Sequence, residues 1–320
     1  MENLVPTTLI QALQKQKYHR IGGHSAVKRC KWFYEALTGG RSCYKHKFYG
    51  INSHQCIQMS PAVFYCTQQC LFCWRAQHSD LQVSWNEMTL PVWDVPEDII
   101  RGIVRAQSRI LSGYKGHVRL DPQKFREAQR PRHIAISLAG EPTLYEPLGE
   151  FIYALRARDM TTFLVTNGTL PKKLSGLSCE PTQLYVSVCA PNEEVFKRVC
   201  RPQVAGAWES LNETLALLQS FRCPTVMRST LVKNQNMEDV EGYAKLVAKA
   251  KPTYIEAKAY MHLGFSSLRL GFENMPTHRE VYEFALKLSE KTGYKILDEV
   301  ADSRVVLLSM RDKPVRLCSS

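Results

Sequence analysis

The sequence predicts an α/β fold: an incomplete TIM-like barrel of six βα units with an N-terminal cysteine-rich extension and a basic insertion. Three observations carry this. From about residue 133 onward, β-branched runs alternate with longer amphipathic stretches, the pattern of a parallel sheet with crossover helices. A cysteine triplet, CTQQCLFC (66–73), directly follows a predicted strand, and in parallel barrels chemistry sits at the carboxyl ends of the strands. The 320 residues are 44% hydrophobic and 22% charged with 17 Gly and 16 Pro, which excludes collagen-like, low-complexity and wholly disordered chains.

In chain order, the first strand is expected at AVFY (62–65) and the first helix at 95–111, with Pro96 and Asp98 in its opening turn. Five more strands follow at 133–139, 161–166, 183–188, 225–232 and 253–260. Helices fall near 146–158, 192–199, 207–220, 238–250 and 277–292, and Ile296–Asp298 with Val305–Met310 suggest a closing hairpin. The expected organisation is an extension over 1–60, a barrel over 61–292 interrupted by the insertion 112–132, and a C-terminal β extension over 293–320. No apolar run approaches the ~20 residues of a membrane helix, and the first residues lack a signal-peptide core. A cytoplasmic monomer without a membrane partner is expected.

The net charge of +12 is concentrated. Residues 1–75 hold ten basic side chains against Glu2 and Glu35, and residues 101–132 hold nine against Asp121 and Glu127, leaving the remainder slightly acidic. Two basic segments on a neutral body point to a polyanion such as RNA, with Lys28, Arg29, Lys47, Arg126, Arg130 and Arg132 as candidate contacts; solvated basic loops are the plain alternative.

Of the 11 Cys, five are scattered (Cys179, Cys189, Cys200, Cys223, Cys318) and read as small buried hydrophobes. The other six form two series. Cys66, Cys70 and Cys73 can converge on one iron–sulfur cluster, and three ligands where four are usual leave one iron open to a substrate or cofactor. Zinc would want a fourth ligand, for which His78 is the local candidate. Cys30, Cys43 and Cys56 are twelve residues apart each time, a spacing that only loops can bring together, and again leave an open site.

CX3CX2C with Phe72 before the last Cys resembles the signature of radical S-adenosylmethionine enzymes, whose fold is a partial barrel. AGEPT (139–143) resembles their Gly-rich GGE element, with Ala139 in place of the first Gly. The resemblance assigns Glu141 to the methionine amino group, and Asn167 in TNG (166–168) and Ser187 to the ribose and carboxylate of S-adenosylmethionine. The two twelve-residue spacings, followed by that motif, closely resemble the archaeal form of the 4-demethylwyosine synthases, radical enzymes of wybutosine formation in tRNA. Further segments that match are MRSTLVK (227–233) and YIEAKAYMHLGFS (254–266).

That family condenses N1-methylguanosine at position 37, beside the anticodon of tRNA-Phe, with pyruvate. The resemblance implies two 4Fe-4S clusters and S-adenosylmethionine, whose 5′-deoxyadenosyl radical takes hydrogen from the N-methyl group. The carbon radical then adds to pyruvate, which loses its carboxylate carbon. It assigns Lys45, two residues after Cys43, to an imine with pyruvate, with Arg41 and Lys47 expected to lower its pKa; chelation of pyruvate by the open iron of the second cluster is the other possibility. Electrons are expected from a separate low-potential flavodoxin or ferredoxin, since too few residues precede Cys66 for a flavodoxin-like domain. Trp32, Phe33, Tyr34, Tyr44, Phe48, Tyr49 and Trp74 are candidates for stacking on the target base. The competing readings are another two-cluster radical enzyme, or a non-catalytic iron–sulfur or zinc RNA-binding protein. Glu141 argues against the latter, which needs no site for a methionine amino group.

Overall fold

The structure is a computed structural model and describes residues 5–317. Helix α1 (Thr7–Lys15) precedes a hairpin of β1 (Tyr18–Ile21) and β2 (Ser25–Lys28), two short helices α2 (Lys31–Leu37) and α3 (Tyr44–Tyr49), and strand β3 (Cys56–Ser60). Then come α4 (His78–Leu81), α5 (Pro96–Ser112), α6 (Pro122–Ala128), β4 (His133–Ile136), α7 (Leu148–Arg156), β5 (Thr161–Thr166), α8 (Pro171–Ser175) and β6 (Gln183–Ser187). The chain continues through α9 (Glu193–Cys200), α10 (Ala207–Leu217), β7 (Thr225–Leu231), α11 (Val240–Ala250), β8 (Tyr254–Ala259), α12 (His278–Thr292), β9 (Lys295–Val300) and β10 (Val305–Ser309). All ten strands form one sheet in the order β1-β2-β3-β4-β5-β6-β7-β8-β10-β9. Strands β3 to β8 are parallel, and the hairpins β1–β2 and β9–β10 add antiparallel edges.

Successive residues of a strand face opposite sides of a sheet. Ile57, Ile134, Leu164, Leu184, Met227 and Ile255 pack into the main core with the crossover helices. Their alternates Phe163, Tyr185, Val226 and Tyr254 form a second core with Tyr44, Phe48 and Tyr49 of α3. Helix α3 therefore covers the inner face of the sheet. The basic insertion contains α6, started by Pro122 and capped by Asp121, whose carboxylate accepts from the amides of Gln123 and Lys124. It packs on the extension: the Asp121 amide donates to Leu37 O, and Gln55 donates to the carbonyls of Glu127 and Arg130.

The strands from 133 onward and the terminal hairpin lie where the pattern puts them; the first parallel strand does not. It is Cys56–Ser60, and AVFY (62–65) is a buried loop. In CIQMS, Ile57 and Met59 alternate with polar residues as a strand requires, while Pro61, without an N–H, ends the ladder. Ala62 to Tyr65 are apolar because the loop lies in the core. Cys179, Cys189, Cys200 and Cys223 pack in or against that core as expected, and Cys318 lies outside the described residues.

Gly140 has a φ of +74°, and a Cβ there would lie 1.9 Å from Ala62 O and 2.5 Å from Tyr65 O. Gly140→Ala is expected to cost roughly 2–4 kcal/mol, from left-handed backbone strain plus a clash with main chain; urea unfolding measures it.

Candidate active site

The loop after β3 brings Cys66, Cys70 and Cys73 to the carboxyl ends of the parallel strands. It is held through main chain: Cys66 N donates to Glu87 O (2.6 Å), Leu71 N to Val199 O (2.9 Å) and Gln69 N to Arg201 O (3.1 Å). Beneath it a buried ion pair, Arg75 with Glu87, ties the loop to the following segment, and Arg75 also donates to Gln68 O. Arg269 pairs with Asp80 and donates to the carbonyls of Cys73 and Leu71, clamping the loop from the other side. Burial pushes the Cys66 thiol well up, Arg75 acting against it; a hydrogen bond with Cys200 followed by burial does the same for Cys70. Phe72 is half-buried against Val232, Tyr260 and Leu270.

The next two strand ends complete this rim. Glu141 is 1% exposed. Its Oε1 accepts from the Thr143 amide and hydroxyl and from the Thr166 hydroxyl, and its Oε2 from the Asn167 amide at 2.7 Å. Oε2 thus keeps acceptor capacity. Burial pushes this carboxyl up and those hydrogen bonds oppose it. The Asn167 side chain donates to Thr67 Oγ1 (2.9 Å) and reaches Cys66 Sγ at 3.8 Å. Ser187, half-buried, ends β6 on the inner face, where its register partner is Arg228.

Cys30 and Cys43 occupy the N-cap positions of α2 and α3, and Cys56 opens β3, at the opposite ends of the strands from Cys66. The three thiols lie within each other's electrostatic reach. Burial raises all three, Cys43 to about 11, against which the amides of the helix starts and the Lys45 ammonium pull toward thiolate. Among the described residues no three His, Cys, Asp or Glu side chains converge on a single-ion site. A four-iron cluster instead asks for thiolates spread round a cube. Two sets of three soft, electropositively flanked thiols fit that donor chemistry.

Lys45 lies between the two ends. It projects from the first turn of α3, is 7% exposed, and its Nζ stands 4.2 Å from the ring centres of both Phe163 and Tyr185. Burial, then the Arg228 charge, bring its pKa down to about 8. The expected cause is corrected: Lys47 is exposed and held by Asp298 and Glu299 O, and Arg41 pairs with Asp302, so neither does this. Around Lys45 stands a network whose roles the sequence does not announce. Glu256, fully buried, accepts from Tyr49 Oη (2.8 Å), Tyr44 Oη (3.2 Å) and Arg228 Nη2 (2.8 Å); Arg228 lies over Tyr185 at 4.4 Å. The signal was position: Arg228 is the second residue of MRSTLVK and Glu256 the third of YIEAKAY, and the two are register partners.

Of the candidate RNA contacts, Arg126, Arg130 and Arg132 are exposed next to the loop that leads to Cys56. Arg29 donates to Tyr114 Oη and covers Tyr34 at 5.2 Å, and Lys28 is half-buried over Tyr18 at 4.5 Å. Phe33, Tyr44, Phe48 and Tyr49 are core residues, whereas Trp74 is exposed beside the Cys66 loop.

Three half-buried thiols at the carboxyl ends of a parallel α/β sheet, beside a Gly-Glu loop, are the arrangement of a radical S-adenosylmethionine protein. The Radical SAM superfamily model matches residues 61–247, and such enzymes use S-adenosylmethionine with a 4Fe-4S cluster. The model for wyosine base formation matches residues 249–310. The S-adenosyl-L-methionine-dependent tRNA 4-demethylwyosine synthase of Pyrococcus abyssi is 46% identical over 96% of this chain and 90% of its own length; that of Methanocaldococcus jannaschii is 39% identical over 98% and 99%. A solved structure of TYW1 with a lysine–pyruvate adduct bound superposes with a TM-score of 0.87 at 37% identity, covering 98% of this chain and 99% of that one. An archaeal TYW1 crystal structure gives 0.80 at 33% identity with the same coverages. The chain belongs to the tRNA 4-demethylwyosine synthase family and is a radical S-adenosylmethionine enzyme. No helix among the described residues is long and apolar enough to cross a membrane.

Glu87→Gln leaves Arg75 buried without its counter-charge. It is expected to destabilise the fold by about 3–5 kcal/mol and to lower iron retention, read by denaturation and by iron assay.

Proposed function

We propose that this chain joins N1-methylguanosine at position 37 of tRNA-Phe to two carbons of pyruvate, giving 4-demethylwyosine. The observation that carries the reading is Lys45: a buried amine within reach of Cys43 and Cys56, held between Phe163 and Tyr185 on the inner face of the sheet. The lysine–pyruvate adduct named for the solved relative supports it.

Residues 61–292 form a partial barrel in this reading, with 293–320 as its C-terminal extension. Residues 1–60 carry the ligands of a second 4Fe-4S cluster, and strand β3 is shared between extension and barrel. Bound at Cys66, Cys70 and Cys73, the first cluster with S-adenosylmethionine supplies radical chemistry aimed at the N-methyl group. Glu141 Oε2 would take the methionine ammonium, and Asn167, Ser187 and Phe72 would hold the rest of that cofactor. Neutral Lys45 attacks the keto carbon of pyruvate; its two N–H hydrogens leave with the keto oxygen as water, and a C=N bond holds the three-carbon unit on the inner face of the sheet. Lys28, Arg29, Lys47, Arg126, Arg130 and Arg132 bind tRNA phosphates. The chain works as a cytoplasmic monomer fed by a separate flavodoxin or ferredoxin.

The deciding experiment is anaerobic incubation with S-adenosylmethionine, pyruvate and methylated tRNA, followed by mass analysis of nucleosides. Changing Cys66, Cys70 and Cys73 together to Ala should roughly halve the iron and abolish S-adenosylmethionine cleavage; stoichiometric zinc with no iron in the unaltered protein would sink the reading. Lys45→Ala should keep both clusters and uncoupled cleavage but form no tricyclic base. In the unaltered enzyme borohydride should fix labelled pyruvate to the Lys45 peptide. Because the neutral amine attacks, trapping should rise about tenfold per pH unit below about 8 and level off above it. No labelling, with Lys45→Ala still active, would leave chelation by the second cluster as the account of pyruvate binding. Neutralising Arg126, Arg130 and Arg132 should weaken tRNA binding and flatten log affinity against log salt by about 0.7–0.9 per lost phosphate contact; an unchanged slope would put the insertion off the RNA.

A further inference from the structure

The inner chamber holds more positive charge than its own carboxylate balances. Lys45, Arg228 and Lys258 share Glu256 and Cys43 or each other as charged neighbours. Arg228 is committed: its Nε and Nη2 both donate to Glu256 Oε2, and Nη2 also to Tyr44 Oη. Glu256 is saturated by that pairing and by Tyr44 and Tyr49. Lys258 is different. It lies two residues beyond Glu256 on β8, on the same inner face, and donates to one neutral acceptor, Ser303 O, at 2.8 Å. Its Nζ stands 5.4 Å from the Tyr44 ring centre. An ammonium has three donors, so two remain. The hydroxyl of Ser303, on the residue whose carbonyl Lys258 binds, is buried without a partner. Donors thus outnumber acceptors here, and the side chain keeps partial exposure through which a ligand can reach it.

A cavity of about 160 Å3, lined among others by Cys43, Tyr44, Arg41 and Asp302 though by neither Lys45 nor Lys258, opens on the other side of Tyr44 and next to Ser303 in the chain. That is room enough for a small organic acid. We propose that Lys258 is a specificity-determining residue that binds the carboxylate of the short 2-oxo acid whose keto carbon faces Lys45. This rests on the function proposed above and adds to it a carboxylate subsite, so that acids are accepted and neutral ketones refused. A ligand held at both ends keeps its keto carbon at one place before any covalent bond forms.

Oxamate tests the subsite apart from the imine, because its amide replaces the ketone and forms no Schiff base. Calorimetry on the reconstituted protein should show binding of oxamate but not of neutral oxamide. Lys258→Met should weaken oxamate at least tenfold with iron content unchanged, and Lys258→Arg should restore it to within about threefold. Should Lys258→Met fail to fold, Lys258→Gln, which keeps a neutral donor but not the charge, should still weaken oxamate severalfold. Equal binding by the unaltered protein and Lys258→Met, or none by either, overturns the assignment. Borohydride trapping separates the two readings. Lys258-dependent oxamate binding without pyruvate trapped on Lys45 keeps the subsite and removes the imine. Trapping that is indifferent to Lys258 keeps the imine and removes the subsite.

Discussion

The chamber depends on one buried carboxylate. Glu256 lies at the middle of β8 with no exposed surface, where desolvation alone would protonate it. Arg228, Lys45 and the Tyr49 hydroxyl outweigh that cost and hold its pKa below the ordinary carboxylate range. Because Tyr44 and Tyr49 both donate to it, this charge also docks α3 on the sheet. A six-residue helix has little stability of its own and takes its place from such contacts. The same helix presents Cys43 at its N-cap and Lys45 in its first turn. Glu256 therefore sets the position of an amine and a thiol more than two hundred residues earlier in the chain. Removing it would leave Arg228 buried and unpaired and would release α3.

At the other ends of the strands the constraint is main-chain geometry rather than charge. Gly140, in the left-handed region, lets the Gly-Glu loop pass within contact of Ala62 O and Tyr65 O, just before Cys66. The Glu141 amide donates to Tyr65 O at 2.8 Å, and its carboxylate closes onto Asn167 N, so three consecutive strand ends are bolted together. Ala139, which departs from the Gly-Gly-Glu pattern, has no positive φ and needs no glycine. The departure costs nothing because the demanding conformation falls one residue later.

Much of this was legible in the sequence. Strands from 133 onward declare themselves because buried parallel strands are β-branched runs set between amphipathic helices, and the Cys66 triplet declares itself by spacing. Strand β3 was overlooked because its five residues alternate in a way that competes with the stronger apolar run after Pro61, and only the tertiary structure shows that run to be a core loop. The lowered pKa of Lys45 was anticipated and its cause misplaced. Neighbours in sequence, Arg41 and Lys47, point to surface carboxylates, while the effective charge, Arg228, comes from a strand 183 residues later. Glu256 was hidden for the same reason. An acid in an apolar strand carries no local mark of the arginine and tyrosines that make its burial tolerable.

The two ends of the sheet also bear on how an RNA approaches. Arg132 directly precedes β4; its amide donates to Gln55 O and its carbonyl accepts from Thr161 N, so the exposed arginines of the insertion stand at the amino ends of the strands. Cys56 is there too, and Cys66 is at the opposite rim. Under the proposed function an anticodon loop gripped by the insertion meets the second cysteine set and Lys45 first, and only a base drawn out of its stack reaches the rim where the radical arises. The phosphate grip carries no sequence information. Under the same reading, selection of the methylated base falls to the groups that line the inner face between Lys45 and the Glu141 loop, because these and not the phosphate contacts meet the base edge.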